Sequence, residues 1–191
     1  MSSIIVAGDT SGSVTLQAPA VAGSTVLTLP AVSGTVITNT AGVVTQAMLS
    51  TNVAGNGPAF RIYATATTSV PNGTPTKVIL GGTTFDTTAG MVASSRFTPT
   101  VAGYYQVDFG IRMENISTVS AIIFKNGIAY STGSTTGNPA LAYNSSGADL
   151  VYLNGSTDYI ELYGYHAGGG TQTVTASSGE TKLAAFLARS A

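Results

Sequence analysis

The 191-residue chain contains no cysteine, no tryptophan and a single histidine. Without cysteine it cannot form disulfides, thiolate nucleophiles or zinc–thiolate sites, and one histidine cannot build a multi-histidine metal site. Seven Lys+Arg against eight Asp+Glu give a net charge of −1, which is too little positive charge for neutralising nucleic-acid phosphates. No apolar run reaches the roughly 18 residues of a membrane span. These absences argue against metal sites, nucleic-acid binding and membrane insertion.

Charge of either sign is scarce. Asp, Glu, Lys and Arg make up 8% of the chain, whereas roughly a quarter is usual. A surface of Ser, Thr, Gly and Asn repels other proteins weakly, and its burial in an interface costs less than the burial of Lys or Glu. The composition therefore favours a chain that is largely covered by other protein, with a neutral soluble β domain as the alternative.

The composition changes abruptly near residue 58. All 9 Tyr and 6 Phe lie at or after Phe60, and every charged residue except Asp9 lies at or after Arg61. The Gly/Asn/Pro-rich segment 52–58 is typical of a linker or turn. We therefore expect an N-terminal arm, residues 1–57, and a C-terminal head, residues 58–191. The first residues lack a basic segment before an apolar one, so we expect no signal peptide.

The arm contains an 11-residue repeat, in which Gly12, Gly23 and Gly34 are equally spaced. Alternating runs after each glycine, such as Ser13–Gln17, predict strands separated by turns. Such a unit is too small to bury its own apolar face, so we expect it to pack on copies of itself or on another surface. A flexible low-complexity linker is the alternative. The predicted capsid-anchoring side chains of the arm are Val14, Leu16, Val26, Leu27, Leu29, Val36 and Ile37.

Short alternating runs with turn signals between them predict an all-β sandwich for the head. In the best-specified strand, one face carries Tyr105, Val107, Phe109, Ile111 and Met113. Asn126-Gly127 predicts the tight turn of one hairpin, and Asn154-Gly155 predicts that of a second hairpin between 149–153 and 158–165. Residues 182–189 predict a buried final strand that closes the head.

A family resemblance rests on the segment Phe97-Thr-Pro-Thr-Val-Ala-Gly103-Tyr-Tyr105-Gln-Val107-Asp-Phe109. It resembles the C1q/TNF-like jelly-roll signature F-x5-G-x-Y-x-F-x-[FY], with Val107 where Phe is typical. The turn 125–127 and the segments 158–162 and 181–187 are similar to the same family. The last segment resembles a closing strand whose aromatic–Leu pair fills the core, so Phe186 is expected there. The resemblance covers residues 58–191 and implies a ten-stranded jelly roll that forms a homotrimer.

The arm resembles the N-terminal segments of bacteriophage virion proteins, namely tail fibres, head fibres and capsid decoration proteins. The two resemblances together imply a homotrimeric virion protein, made in the host cytoplasm. The arm is too short for a long-reach fibre, which favours a capsid decoration (cement) protein. Its arm would bind the major capsid protein or another virion protein while its head projects outward. One alternative is a receptor-binding head or tail fibre that attaches to host-surface glycan. The other is a non-viral C1q-like binding module.

Motifs for catalysis are absent from the sequence. His166 precedes three glycines, but no Gly-x-Ser-x-Gly nucleophile elbow exists, so we expect a loop residue at a strand end. Asp158 and Glu161 are three positions apart, which places them on opposite faces of a strand and not in a glycosidase pair. No P-loop lysine follows the glycine-rich stretches. The sequence therefore predicts no enzymatic activity and no cofactor or metal.

Four residues alternate along one predicted strand and share one face by parity: Tyr159, Glu161, Tyr163 and Tyr165. Tyrosine favours surfaces that are half apolar and half wet. We expect this face to be a trimer contact. If it points outward instead, it would suit saccharide binding, and parity leaves both interpretations open.

Overall fold

The computed structural model describes residues 3–7, 13–17, 55–88, 92–114, 118–134 and 143–191. The chain divides into two compact units, Met1–Val43 and Val44–Ala191. Within the described ranges all regular structure is β-strand, in agreement with the predicted all-β class. No helix in these ranges is long and apolar enough to cross a membrane.

The described part of the first unit is an antiparallel hairpin of β1 (Ser3–Ala7) and β2 (Ser13–Gln17). Strand β2 coincides with the run predicted in the first repeat. Of the predicted anchoring residues, Val14 and Leu16 belong to β2. The other five lie outside the described residues: Val26, Leu27, Leu29, Val36 and Ile37.

The second unit contains thirteen strands in its described part. The first seven are β3 (Ala59–Tyr63), β4 (Thr68–Pro71), β5 (Thr76–Lys77), β6 (Gly82–Asp86), β7 (Val92–Ala93), β8 (Arg96–Phe97) and β9 (Gly103–Met113). The remaining six are β10 (Val119–Lys125), β11 (Ile128–Thr132), β12 (Tyr143–Leu153), β13 (Ile160–His166), β14 (Thr171–Val174) and β15 (Lys182–Ser190).

These strands form two sheets. The seven-stranded sheet has the order β4-β14-β9-β15-β3-β6. Strand β12 pairs with β9 along the edge opposite to β15. The six-stranded sheet has the order β11-β10-β13-β8-β7, and β5 pairs with β13. Neighbours along the chain thus belong to different sheets at several points, as a jelly roll requires.

The core contains the predicted inner face of β9. Tyr105, Val107, Phe109, Ile111 and Met113 are all buried, because alternate residues of a strand point to the same side. The core also contains Phe60 and Phe97, whose ring centroids are 4.6 Å apart. The Tyr105 hydroxyl donates to the Val101 carbonyl at 2.8 Å, so the one polar group of this inner face is satisfied.

Of the two predicted hairpins, the first is confirmed. Strands β10 and β11 are antiparallel, and Asn126 and Gly127 have φ values of 53° and 78°, as a type I′ turn needs.

The second predicted hairpin is wrong. Strand β12 pairs with β9 along its whole length, whereas β13 pairs with β10. The connection between them leads from one sheet to the other. The Asn154 side chain accepts hydrogen bonds at 2.9–3.0 Å from the backbone N–H groups of Ser156, Thr157 and Asp158. This capped loop replaces the expected two-residue turn.

The closing strand is correctly placed, but only one of its faces is buried. Strand β15 lies between β3 and β9, with Leu183, Ala185 and Leu187 in the core. The intervening Phe186 points to the other side of the sheet and is 49% exposed. The expectation that Phe186 fills the core is therefore wrong, because its parity is opposite to that of Leu187.

Candidate functional site

Large apolar side chains collect on the solvent side of the seven-stranded sheet. Tyr104, Leu150, Tyr152 and Phe186 expose 40%, 50%, 39% and 49% of their surface. Tyr152 lies opposite Tyr104, and Leu150 and Phe186 lie opposite Gln106 from its two sides. The rings of Tyr104 and Tyr152 are 5.3 Å apart. These four side chains lie on one face of three neighbouring strands around Gln106 and are called the aromatic patch below.

The strand pattern shows why the aromatic patch is unusual. In β12, Val151 and Leu153 point into the core while Leu150 and Tyr152 point to solvent. An antiparallel sheet with one wet face normally carries polar residues on that face. A contiguous exposed apolar patch marks an interaction surface. The sequence signal is the presence of apolar residues at both parities of this strand, which the predicted hairpin between 149–153 and 158–165 leaves unexplained.

Beyond the aromatic patch, the same face becomes small and then charged. Asp108 lies opposite Ala148 of β12 and Ala184 of β15. Further along β9, Arg112 donates to the Glu180 carboxylate at 2.8 Å. The hydrogen bond from Arg112, followed by one from Asn144, holds the pKa of Glu180 below its ordinary value. This face thus has an apolar end at the aromatic patch, the carboxylate of Asp108 in the middle, and an ion-paired end at Arg112 and Glu180.

The predicted tyrosine face lies on the other sheet, and Glu161 is its centre. This carboxylate is only 3% exposed although it points away from the core. Lys77 Nζ and Arg96 Nε donate to the same carboxylate oxygen at 2.7 and 2.8 Å. Burial raises the pKa of Glu161, but these two donors outweigh it, so its pKa lies below the ordinary value. The Tyr163 hydroxyl donates to the second oxygen at 3.4 Å.

Aromatic rings surround this carboxylate. The Arg96 guanidinium lies 3.8 Å above the Tyr159 ring, a cation–π contact. Phe124 and Tyr163 are stacked with centroids 3.9 Å apart. Tyr165 lies farther along β13, opposite Ser120.

The structure therefore brings together three of the four predicted residues, Tyr159, Glu161 and Tyr163. It adds Lys77, Arg96 and Phe124, which come from other strands and gave no local sequence signal.

His166 is the last residue of β13 and is fully buried. Its Nε2 atom is 2.9 Å from the Val70 carbonyl oxygen, and the Gly168 N–H donates to Nδ1 at 3.3 Å. Both ring nitrogens thus bind the backbone, which joins the end of β13 to β4. Its position at a strand end agrees with the prediction, although it is not a loop residue.

Asp158, the other acidic residue of the sequence analysis, has different partners from Glu161. Asp158 accepts a hydrogen bond from the Asn126 side chain at 2.7 Å and pairs with Lys125 at 3.2 Å. The hydrogen bond from Asn126 is the main reason why the pKa of Asp158 is lowered. Among the described residues, no group of three or more His, Cys, Asp and Glu is placed to hold a metal ion.

The chain matches no protein-family model and no curated protein. Three solved structures resemble it: murine APRIL at 12% identity and TM-score 0.56, the globular domain of zebrafish complement 1qA at 15% and 0.53, and the PRD1 vertex protein P5 at 15% and 0.51. The matches cover 68%, 70% and 68% of this chain and 98%, 98% and 96% of the other chains. At such identities the likeness concerns the fold alone. The chain carries a C1q/TNF-like jelly roll.

Proposed function

We propose that this chain is a non-enzymatic structural protein of a bacteriophage virion, a homotrimeric capsid decoration protein. The head assembles through the solvent side of the seven-stranded sheet, and the arm, residues 1–57, binds the capsid. The observation that carries the proposal is the aromatic patch, because a soluble monomer has no need to expose four large apolar side chains side by side. The likeness of the fold to a phage vertex protein supports the virion setting.

The aromatic patch suits a trimer contact better than the tyrosine face does. Full burial of a large apolar side chain contributes about 1.5–3 kcal/mol, and each member of the patch still exposes 39–50% of its surface. Around Glu161, in contrast, the charges and rings already contact one another within one chain. The sequence analysis predicts a trimer contact through the tyrosine face, and the structure does not test that prediction. Our proposal instead places the contact on the seven-stranded sheet.

A single introduced thiol tests the contact, because the chain has no cysteine of its own. Ala184→Cys places the thiol on the proposed contact face, and Ala129→Cys places it on the exposed strand β11. We expect the thiol at position 184 to react slowly with a labelling reagent at high protein concentration and faster on dilution. The thiol at position 129 should react at one rate throughout. Concentration-independent labelling at both positions would contradict the contact.

The uncharged arm supports decoration. It lacks aromatic residues and, apart from Asp9, charge, so it can be buried against capsid protein at low desolvation cost. The test is the copy number of this chain in purified particles, together with the heat stability of particles that lack it. Decoration predicts copies in multiples of the capsomer count and less stable particles when the chain is absent. A few copies per particle with unchanged stability would contradict it.

The second candidate function is receptor binding through the tyrosine face. The half-buried Tyr159 and Tyr163 rings lie beside Lys77 and Arg96 on the solvent side of the six-stranded sheet. Rings next to charged donors suit a saccharide, with its apolar ring faces and its hydroxyl groups. Glycan-array binding by the intact chain, lost in Tyr159→Ala and kept in Tyr130→Ala, would favour this function. Absence of array binding would favour decoration.

A further inference from the structure

Some charged side chains of the head form ion pairs, and others do not. In the described part, Lys77 and Arg96 pair with Glu161, Lys125 pairs with Asp158, and Arg112 pairs with two glutamates. No such ion pair includes the cations Arg61, Lys182 and Arg189 or the anions Asp86, Asp108 and Asp149. All six of these groups belong to strands of the seven-stranded sheet. The sheet that carries the aromatic patch therefore also carries every charged side chain of the described ranges that forms no ion pair.

Among these anions, Asp108 is the one without any partner in the described part. Asp86 accepts a hydrogen bond from the Thr88 N–H, and Asp149 accepts one from the Leu150 N–H. Asp108 is exposed, and the alanines opposite it on both neighbouring strands give it no polar contact. Burial of such a carboxylate is strongly unfavourable unless a cation accompanies it. A trimer that covers this face must therefore bring a cation to Asp108.

The positions of the three cations select one of them. Arg61 lies at the level of Asp108, since both are opposite Ala184, but its guanidinium already donates to the Thr84 hydroxyl and the Ser178 carbonyl. Arg189 lies opposite Tyr104, four residues along β9 from Asp108, or about 13 Å at the usual rise of a strand. Lys182 lies opposite Gly110, two residues from Asp108, or about 7 Å. Of the two cations without a side-chain hydrogen bond in the described part, Lys182 is therefore the one closer to the level of Asp108.

We propose that Asp108 of one copy forms an ion pair with Lys182 of the neighbouring copy, an inference that rests on the proposed trimer. In the proposed trimer the three-fold axis runs along the strands. Rotation about that axis preserves height along the strands, so Lys182 of the next copy stays within a lysine side chain's length of the level of Asp108. Within one chain the two residues are diagonal neighbours on β9 and β15, but they form no ion pair there. The ion pair aligns neighbouring copies along the strand direction, whereas the aromatic patch supplies the apolar area that is buried between them.

A double-mutant cycle on trimer dissociation tests this pair. The dissociation constant is measured by sedimentation for the full chain and for Asp108→Asn, Lys182→Gln and the double variant. We expect each single change to weaken the trimer about tenfold or more and the second change to add little, since close interfacial ion pairs show strong coupling. Arg189→Gln is the matched control, because it removes an unpaired cation of the same face. Its effect should be additive with that of Asp108→Asn.

The outcomes separate the pair from the trimer. If the unaltered chain is trimeric and the Asp108 and Lys182 effects add within twofold, the pair is refuted while the trimer stands. If the unaltered chain is monomeric, both proposals fail.

Discussion

Two phenylalanines on adjacent strands of one sheet face opposite sides, and replacing each by alanine separates core from contact surface. Phe109 on β9 is 2% exposed, whereas Phe186 on β15 is 49% exposed. Phe109→Ala empties a core position, and such truncations cost about 3–5 kcal/mol of unfolding free energy. Phe186→Ala leaves no enclosed cavity, so we expect a loss of about 1 kcal/mol in the monomer. In the proposed trimer, Phe186→Ala also removes buried area between copies.

The assay is urea unfolding of the full chain followed by tyrosine fluorescence, which the absence of tryptophan leaves unmasked. Each variant is measured at several protein concentrations. The loss in Phe109→Ala should be the same at all concentrations, whereas the loss in Phe186→Ala should grow with concentration, because trimer formation stabilises the unaltered chain by mass action. Equal, concentration-independent losses in the two variants would refute the assignment of the two faces.

Three further predictions concern the pH dependence, a glycine and a tyrosine. Because the folded pKa of Glu161 is lowered, the unfolded chain binds more protons, so stability should fall as pH drops from about 4.3 towards the folded pKa. Glu161→Gln should flatten this part of the urea-midpoint profile, and an unchanged profile would contradict the ion pairs. Gly155→Ala should destabilise far more than Gly169→Ala in thermal melts: both have positive φ, but only at Gly155 would a Cβ lie 2.4 Å from the Ala102 N. Equal melting shifts would contradict that close approach. Tyr105→Phe should cost about 1 kcal/mol in urea unfolding through the lost hydrogen bond to Val101. Burial raises the Tyr105 pKa to about 12, so the ionisation of its phenol, followed by absorbance, should have its midpoint near that pH.

Local patterns were sufficient where one strand or one turn determines the outcome. The buried face of β9 follows from the alternation of apolar residues along the strand. The Asn126-Gly127 turn follows from the positive φ values that only such residues adopt readily. The all-β class follows from the short alternating runs with turn signals between them, and the jelly roll follows from the family resemblance carried by Phe97, Gly103 and Tyr105. These features depend on neighbours within a few residues, which the sequence displays directly.

Pairing over long distances could not be predicted in this way. A turn-like Asn154-Gly155 pair follows strand β12, yet the partner of β12 is β9, because the sheet and not the turn determines pairing. Glu161 is bound by Lys77 and Arg96, which are 84 and 65 positions away in the sequence. The role of Phe186 was misassigned because the family pattern gave its neighbourhood but not its side of the sheet. The candidate site thus depended on topology, which one sequence does not encode locally.

The central claim, self-association of the head through the aromatic patch, is tested most directly by native mass spectrometry of the intact 191-residue chain beside a Tyr104→Ser/Leu150→Ser variant. Both altered side chains are exposed in the monomer, so the variant should remain folded by circular dichroism. The account predicts the mass of a three-chain complex for the unaltered protein and the mass of a single chain for the variant. Single chains from the unaltered protein, or trimers from the folded variant, would contradict it.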